Sequence, residues 1–209
     1  PDLKPGHDLE HTLRLSRHTS RWQTSAQVYF KQCLKPNMAL YERTDDNQFR
    51  YTQTNQKEID VLHLMAYAGY WLLPEKLQLS AYGGMQRCFN YGLDYTHCYT
   101  SWFYMGSLVA YLGRFTLQAY TDSGSRWLEG ETRGFSSAVT ALSASYGHKG
   151  WQVSLQWYNP FVQNLKTSSS ELLNRHLHKL TAAYSRDWGN RLTLNVSWRL
   201  DRGKKRQAA

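Results

Sequence analysis

The sequence lacks any run of 18 apolar residues, so none of its 209 positions belongs to a membrane-spanning helix. It also lacks the charged start and short apolar core of a secretory signal peptide. A β-barrel would show neither feature, because its strands are short and alternate between apolar and polar residues. These absences therefore leave all-β classes open.

Cysteine is scarce, with only Cys33, Cys88 and Cys98 in the chain. The number is odd and no two cysteines are spaced C-x-x-C, which disfavours a zinc site. Cys88 and Cys98 flank one predicted loop, where a disulfide is open to an oxidising compartment. Free thiols are the favoured interpretation.

Charged residues make up only 20% of the chain and apolar residues 41%. The apolar share includes many aromatics, among them 15 Tyr and 8 Trp, and small polar residues take much of the remainder. This composition favours strands over helices, since aromatic residues are enriched in sheets. It also suits a barrel with a polar interior and aromatic girdles.

The net charge is +9, but no long basic block precedes Lys204, Lys205 and Arg206 at the end. Dispersed cations on a polar face explain this excess better than a nucleic-acid surface does. We expect no nucleic-acid partner.

The stretch from Asn190 onward alternates apolar and polar residues with a period of two, which indicates one β-strand with one apolar face. Such a strand occurs in a soluble sandwich, where the apolar face is core, and in an outer-membrane barrel, where it meets lipid. The preceding strand alternates in the same way. The predicted lipid-facing residues are Leu192, Leu194, Val196, Trp198, Leu200, Val153, Leu155 and Trp157.

Nine strands are predicted, with short turns near residues 19, 74, 113 and 148. The connections near 45, 94, 128 and 167 are mostly long, the first being the exception. Alternating short and long connections are typical of outer-membrane barrels. The apolar faces carry almost no charge, and Trp22, Trp102, Trp151 and Trp198 are predicted near strand ends, as in an interfacial girdle. The predicted strands are Glu10–Ser16, Trp22–Phe30, Phe49–Leu73, Leu77–Met85, Trp102–Leu112, Phe115–Ala119, Ala138–Tyr146, Trp151–Trp157 and His176–Leu200.

No catalytic motif is present, and we expect neither an enzyme nor a bound cofactor. His176 and His178 lie two apart on one strand face, but without a third ligand they are interpreted as polar face residues rather than a metal site. The acidic groups Asp45–Asp46 and Asp122, Glu129 and Glu131 are interpreted as solvated turns. Candidate ligand contacts are the loop aromatics, with packing of loops on one another as the alternative: Tyr91, Tyr95, Tyr99 and Trp127.

Several motifs together resemble one family of proteins. Pro1-Asp2-Leu3-Lys4-Pro5 resembles an element found midway through the barrels of TonB-dependent outer-membrane receptors, and Tyr158-Asn159-Pro160-Phe161 resembles one from their penultimate strand. Gly189-Asn190-Arg191, with the alternating strand and Gly203-Lys204-Lys205, resembles the closing strand of the Bacteroidetes outer-membrane β-barrel group. Tyr99, Trp102, Phe103 and Tyr104, and Asn55-Gln56, also match these chains.

The resemblance implies an all-β, antiparallel transmembrane β-barrel, of which residues 1–209 are the C-terminal portion of about nine meandering strands. The plug, the TonB box and the earlier strands would lie outside this segment, and nine strands would not close by themselves. The implied function is TonB-dependent uptake of a siderophore, glycan or peptide across the outer membrane. The implied partners are outer-membrane lipid, the remaining barrel and plug, the TonB complex through that plug, and a surface lipoprotein. The alternatives are a non-transporting barrel for adhesion or assembly, and a soluble carbohydrate-binding β-sandwich.

Overall fold

The computed structural model describes residues 3–199, and over that range the chain consists of strands and connections without a helix. No helix in this range is therefore long and apolar enough to cross a membrane. The expected all-β class and antiparallel pairing are confirmed. The strands of this range are β1 (His7–His18), β2 (Trp22–Leu34), β3 (Asn37–Arg43), β4 (Phe49–Asn55), β5 (Glu58–Leu73), β6 (Leu77–Tyr91), β7 (Thr96–Leu112), β8 (Phe115–Asp122), β9 (Arg126–Glu129), β10 (Thr132–Ser136), β11 (Val139–His148), β12 (Trp151–Tyr158), β13 (Leu165–Leu173), β14 (His178–Ser185) and β15 (Arg191–Trp198).

Nine of these strands form one large meandering sheet in the order β1-β2-β5-β6-β7-β8-β11-β12-β15. Each strand pairs with the next one in chain order, so β1 and β15 are the two edges. The other strands form a four-stranded sheet, β14-β13-β10-β9, and the hairpin β3-β4. We call the four-stranded sheet the loop sheet, because its strands lie within connections of the large sheet.

The two ends of the large sheet differ in their connections: every connection at one end is a short turn, whereas three of the four at the other end carry additional strands. Short turns at 19–21, 74–76, 113–114 and 149–150 lie at one end. At the other end lie the β3–β4 hairpin, a turn at 92–95, the β9–β10 hairpin and the β13–β14 hairpin. Any meander has connections at two ends of its sheet. Here the six strands of residues 3–199 that do not belong to the large sheet all lie in connections at one end, which a meander does not require.

Register sorts the side chains of the large sheet by polarity across all nine strands. Leu155 pairs with Ala144 on one side and Leu194 on the other, and directly opposed residues share a face. The next residues, Ser154, Ser145 and Asn195, occupy the opposite face. In the strands towards β1, the same apolar face carries the row Leu13, Val28, Leu64, Met85 and Trp102.

The apolar face of the large sheet is not covered by any described part of the chain. Trp102 is 69% exposed, Leu194 64% and Leu13 64%. The buried apolar residues within 3–199 are only Met38, Cys88, Leu128 and Leu172, and they lie at the end that carries the hairpins. This sheet is held together mainly by backbone ladders and neighbouring side chains within each face.

The eight predicted lipid-facing residues fall on this apolar face, except that Leu200 lies outside the described residues. Leu192, Leu194, Val196, Trp198 and Leu155 are between 42% and 64% exposed, and Val153 and Trp157 are partly exposed. Trp151 stacks on Trp198 with ring centroids 5.2 Å apart, beside the short turn at 149–150. Trp22 packs on Tyr70 with a tilt of 33° between the rings and centroids 4.2 Å apart.

Three details of the predicted strand pattern are wrong. The stretch from Phe89 to Thr100 is a tight hairpin of β6 and β7, so Trp102 lies well inside β7. The connection near 45 is a long one carrying its own hairpin, whereas the one near 94 is short. Two predicted strands are each broken into halves that belong to different sheets: Phe49–Leu73 into β4 and β5, and His176–Leu200, for which a bend near Asp187–Asn190 was expected, into β14 and β15. In each case alternation alone did not show where a strand changes partner.

The three cysteines are free. Cys88 pairs with Tyr99 and Cys98 with Phe89, so Cys88 and Cys98 project from opposite faces of the same hairpin. The open question of a disulfide between them is therefore answered by the register of β6 and β7.

We expect Gly84→Ala to destabilise the sheet far more than Gly106→Ala. A methyl group at Gly84 would meet the Leu64 carbonyl oxygen at 1.9 Å, whereas at Gly106 its nearest neighbour is the Thr121 methyl at 3.7 Å. Overpacking against backbone costs about 1–3 kcal/mol. Urea titrations followed by tryptophan fluorescence should give a lower midpoint for Gly84→Ala alone; equal midpoints would contradict the close approach of β5 and β6.

Candidate functional site

The long connections pack together over one end of the large sheet, and the deeply buried side chains within residues 3–199 lie at this end or next to it. We call this region the loop cluster: the β3–β4, β9–β10 and β13–β14 hairpins with the turn at 92–95. Strand β9 contacts both β6 and β7. The Cys88 thiol, on the polar face of β6, touches the backbone of Leu128 in β9. The β9–β10 hairpin therefore folds inward across the polar face.

A single amide holds three hairpins of the loop cluster together. The Asn174 side-chain nitrogen donates to both carboxylate oxygens of Glu131, at 3.1 and 2.9 Å, and to the Tyr41 carbonyl at 3.2 Å. Glu131 is 5% exposed, so its charge needs these donors. The Leu173 backbone nitrogen also donates to the Glu131 carbonyl, at 2.7 Å.

Beside the hydrogen bonds between Asn174 and Glu131 lies a cavity of about 480 Å³, which we call the loop cleft. It is bordered by the β3–β4 hairpin, the turn at 92–95 and the residues that link β13 to β14. Its polar lining contains the cations Arg43 and Arg175 and the carboxylates Asp45, Asp94 and Glu131. A cleft with mixed donors and acceptors, and no pair of side chains placed as nucleophile and base, suits the binding of a polar ligand.

Two polar atoms facing the loop cleft have no partner among the described residues. They are the Tyr95 hydroxyl and the Nε2 of His97, whose rings stack at 5.1 Å. Burial, with a smaller contribution from the Glu131 charge, raises the pKa of Tyr95 to about 12. Buried polar groups without partners are rare in folded proteins and mark places where a ligand or water completes the hydrogen bonds.

Tight packing at Gly130 holds the Tyr95 hydroxyl in place. Gly130 has a φ of +58°, a conformation that favours glycine, at the tip of the β9–β10 hairpin. A methyl group there would lie 3.1 Å from the Tyr95 hydroxyl and 3.6 Å from the Met38 sulfur. Both the backbone conformation and the nearby side chains therefore favour glycine at this reversal.

The structure does not bring the four predicted ligand aromatics together. Tyr95 lines the loop cleft, and Tyr99 lines a second cavity between the loop sheet and β7. Tyr91 projects from the opposite face of the β6–β7 hairpin and stacks on Phe89. Trp127 lies across Gly134, where a Cβ would be 2.0 Å from its ring. Tyr91 in β6 and Tyr99 in β7 belong to one tyrosine-rich stretch, but the register of the two strands places their side chains on opposite faces.

The candidate metal residues also have other partners. His178 bonds to Glu171 at 3.0 Å, and the His176 ring accepts from the Arg175 side chain at 2.9 Å. Asp122 accepts hydrogen bonds from the Tyr120 hydroxyl and from the Gly124 backbone nitrogen, whereas Glu131 accepts from Asn174. In the described part of the chain no three His, Cys, Asp or Glu side chains are grouped to hold a metal.

Sequence analysis missed Asn174 and treated Glu131 as a solvated turn residue. Glu131 follows Gly130 in a short turn, which is usually exposed. Only its long-range contact with residue 174 buries it, and no local signal reports such a contact.

We expect Tyr95 to make stability depend on pH above 10. The phenol is neutral in both states below its ordinary pKa of 10.0, and between pH 10 and about 12 it ionises in the unfolded chain only, so stability is lost as pH rises. Tyr95→Phe should remove about 1 kcal/mol of that loss, after allowance for solvent screening. Unfolding free energies measured across this range should show the difference, and the exposed Tyr184→Phe should behave as wild type.

Comparisons with protein-family models, with curated proteins and with solved structures find no match to this chain. The proposals below therefore stand on the geometry of the chain and on the motifs already described.

Proposed function

We propose that this chain is a segment of an outer-membrane β-barrel receptor that imports a bulky nutrient and has no catalytic activity. The observation that carries the proposal is the uncovered apolar face of the nine-stranded sheet, opposite a polar face with hairpins folded across it. In water such a face would be an unusually large exposed apolar patch. Contact with lipid acyl chains removes that cost.

The dimensions of the apolar face support contact with a bilayer. About ten residue steps along β7 separate Trp102 from Leu112. At roughly 3.3 Å per residue and a strand tilt of about 40°, they span about 25 Å, the height of the apolar band in outer-membrane barrels.

Aromatic rings border this band. At the short-turn end lie Trp22, Tyr70, Phe115, Tyr146 and the stacked pair of Trp151 and Trp198. Aromatic rings with one polar edge concentrate at both membrane–water interfaces. The short turns then belong on the periplasmic side and the loop cluster on the outer surface, because outer-membrane barrels have short periplasmic turns.

The free edges β1 and β15 support a larger barrel. Among residues 3–199, each of these strands has a pairing strand on one side only, which leaves a row of backbone donors and acceptors along the other. Hydrocarbon cannot satisfy such groups, so spanning sheets close on themselves. Pairing with further strands of the same protein would complete the barrel.

A receptor role explains the loop cluster better than adhesion or assembly does. In the proposed barrel, the loop cleft would lie at the outer mouth of the lumen, where a ligand would first bind; the β9–β10 hairpin folded over the polar face supports this. The sandwich alternative requires a second layer against Leu194, Val196 and Trp198, whose exposure of 55–64% argues against it. Energy from the TonB complex, a plug in the lumen and a surface lipoprotein partner are proposed on the resemblance of the motifs.

We expect Leu194→Arg to weaken the folded protein in lipid vesicles by about 2–4 kcal/mol, because a cation on the lipid face near the midplane is not solvated. The neighbouring Asn195→Arg places the same charge on the polar face and should change stability by less than about 0.5 kcal/mol. Urea titrations of the two variants in vesicles measure the difference. Equal losses for both variants would contradict a lipid face.

Cell fractionation tests the location directly. The full-length protein should remain with outer membranes after washing in high salt and alkaline carbonate, and should require detergent for extraction. Vesicles of brominated lipid should quench its tryptophan fluorescence. Recovery in the soluble fraction without detergent would overturn the proposal.

A further inference from the structure

One face of the loop sheet carries an unusual concentration of cations. Arg126 in β9 pairs with Phe135 in β10, and Arg133 pairs with Glu171 in β13. Because directly opposed residues share a face, these side chains project together. Leu180 of β14, opposite Glu171, completes the face.

A β-bulge adds Lys166 to the same face. The pairing of β13 with β14 shifts between Lys166 and Ser168, so that Thr167 is the additional residue. Without the bulge, Lys166 would alternate with Ser169 and point to the opposite side. With it, Lys166 pairs with Tyr184, in phase with Leu180. Bulges near binding sites commonly redirect one side chain in this way.

The cations are placed on aromatic rings. The guanidinium of Arg126 lies 5.3 Å from the centre of the Phe135 ring, and the Lys166 ammonium lies 5.8 Å from the same ring. Arg133 lies 5.5 Å from the ring of Tyr99, which projects from the polar face of β7. Stacking of this kind orients a cation and leaves its remaining donors available.

Charge at this face is not balanced. Glu171 bonds to His178 and to Arg133, and these contacts hold its pKa below the usual range, so the carboxylate stays ionised and offsets Arg133. Within residues 3–199 neither Arg126 nor Lys166 has an ion-pair partner. Two cations thus share one ring without a counter-charge, an arrangement that repulsion disfavours and an anion would stabilise.

These side chains surround a cavity of about 430 Å³, which we call the basic cavity. Its lining contains the three cations, the aromatic rings of Tyr99 and Phe135, Ser169 as a further hydrogen-bonding group, and one carboxylate, Glu171, which is paired with Arg133. Its size admits a ligand considerably larger than an inorganic ion. The basic cavity is separate from the loop cleft, whose lining includes more carboxylates than cations of Lys or Arg type.

We propose that the basic cavity binds an oligoanionic ligand, one that carries two or more carboxylate or phosphate groups. Arg126 and Lys166 bind its anionic groups, and Arg133, fixed by Glu171, contributes a third donor. Arginine recognises both kinds of anion through paired hydrogen bonds. The ligand class follows from the side chains of the basic cavity, whereas the role of the bound anion as the imported nutrient, or part of it, rests on the receptor function proposed above.

The test is a calorimetric titration of the detergent-purified full-length protein with citrate, and in a separate series with inorganic phosphate. Triethyl citrate, the neutral ester, is the matched control ligand. The variant Arg126→Gln combined with Lys166→Gln removes both unpaired cations. Lys179→Gln removes one exposed cation from the opposite face of the same sheet and is the matched control protein.

Wild type should bind citrate saturably, more tightly than phosphate, and the ester not at all. Loss of the two cations should weaken citrate binding at least tenfold, an effect of about 1.4 kcal/mol. Lys179→Gln should change the affinity less than twofold, and added salt should weaken binding in wild type. Circular dichroism of each variant checks that the strands are retained.

The inference is overturned if citrate and phosphate both fail to bind, if the ester binds as well as citrate, or if Lys179→Gln weakens binding as much as the double variant. The titration needs neither a membrane nor TonB. If the protein fractionates with outer membranes but does not bind these anions, the proposed ligand class is wrong and the receptor function still stands. If the protein is soluble and binds citrate, the receptor function is wrong and the ligand class still stands.

Discussion

The antiparallel pairing of nine strands, each beside the next member of the large sheet in chain order, is the constraint on which the rest of this structure depends. Side chains alternate between faces with a period of two, so this pairing, with one shift of register between Trp71 and Leu73, places most apolar side chains on one face and most polar ones on the other. A slip of one residue in a single strand would put that strand's leucines among the serines and asparagines of its neighbours. No layer of the described chain covers the apolar face, so this face must contact something else. In the function that we propose, it contacts lipid acyl chains.

The loop cluster is stabilised in a different way from the large sheet. Its buried side chains include the apolar Met38, Leu128 and Leu172 and the charged Glu131, so specific hydrogen bonds act there beside apolar burial. Asn174 illustrates this, since one amide joins three hairpins through Glu131 and the Tyr41 carbonyl. Partly satisfied polar networks are costly in a protein interior, and the unpartnered atoms of Tyr95 and His97 lie where such a network opens into a cleft. The same packing that shapes the hairpins therefore leaves positions for a ligand.

Departures from strict alternation determine the chemistry of the second cavity. The bulge at Thr167 redirects Lys166 towards Phe135, and the infolded β9–β10 hairpin places Arg133 over Tyr99. Neither event is visible in the composition, where the net charge of +9 indicated only dispersed cations. Three of those cations are gathered at one face by hairpin pairing across more than thirty positions of the chain, as the pairing of Arg133 with Glu171 shows.

The sequence by itself determined the all-β class, the nine strands of the large sheet, the short turns and the residues of its apolar face, because period-two alternation is a local property of each strand. It did not determine where β6 meets β7, that β14 and β15 belong to different sheets, or that Tyr91 and Tyr99 face apart. Those outcomes depend on register and on which hairpin crosses which strand. Only the tertiary structure decided that Glu131 is buried, that Cys88 and Cys98 stay apart and that Lys166 joins Arg126, because contacts between distant segments leave no trace in the periodicity of either one.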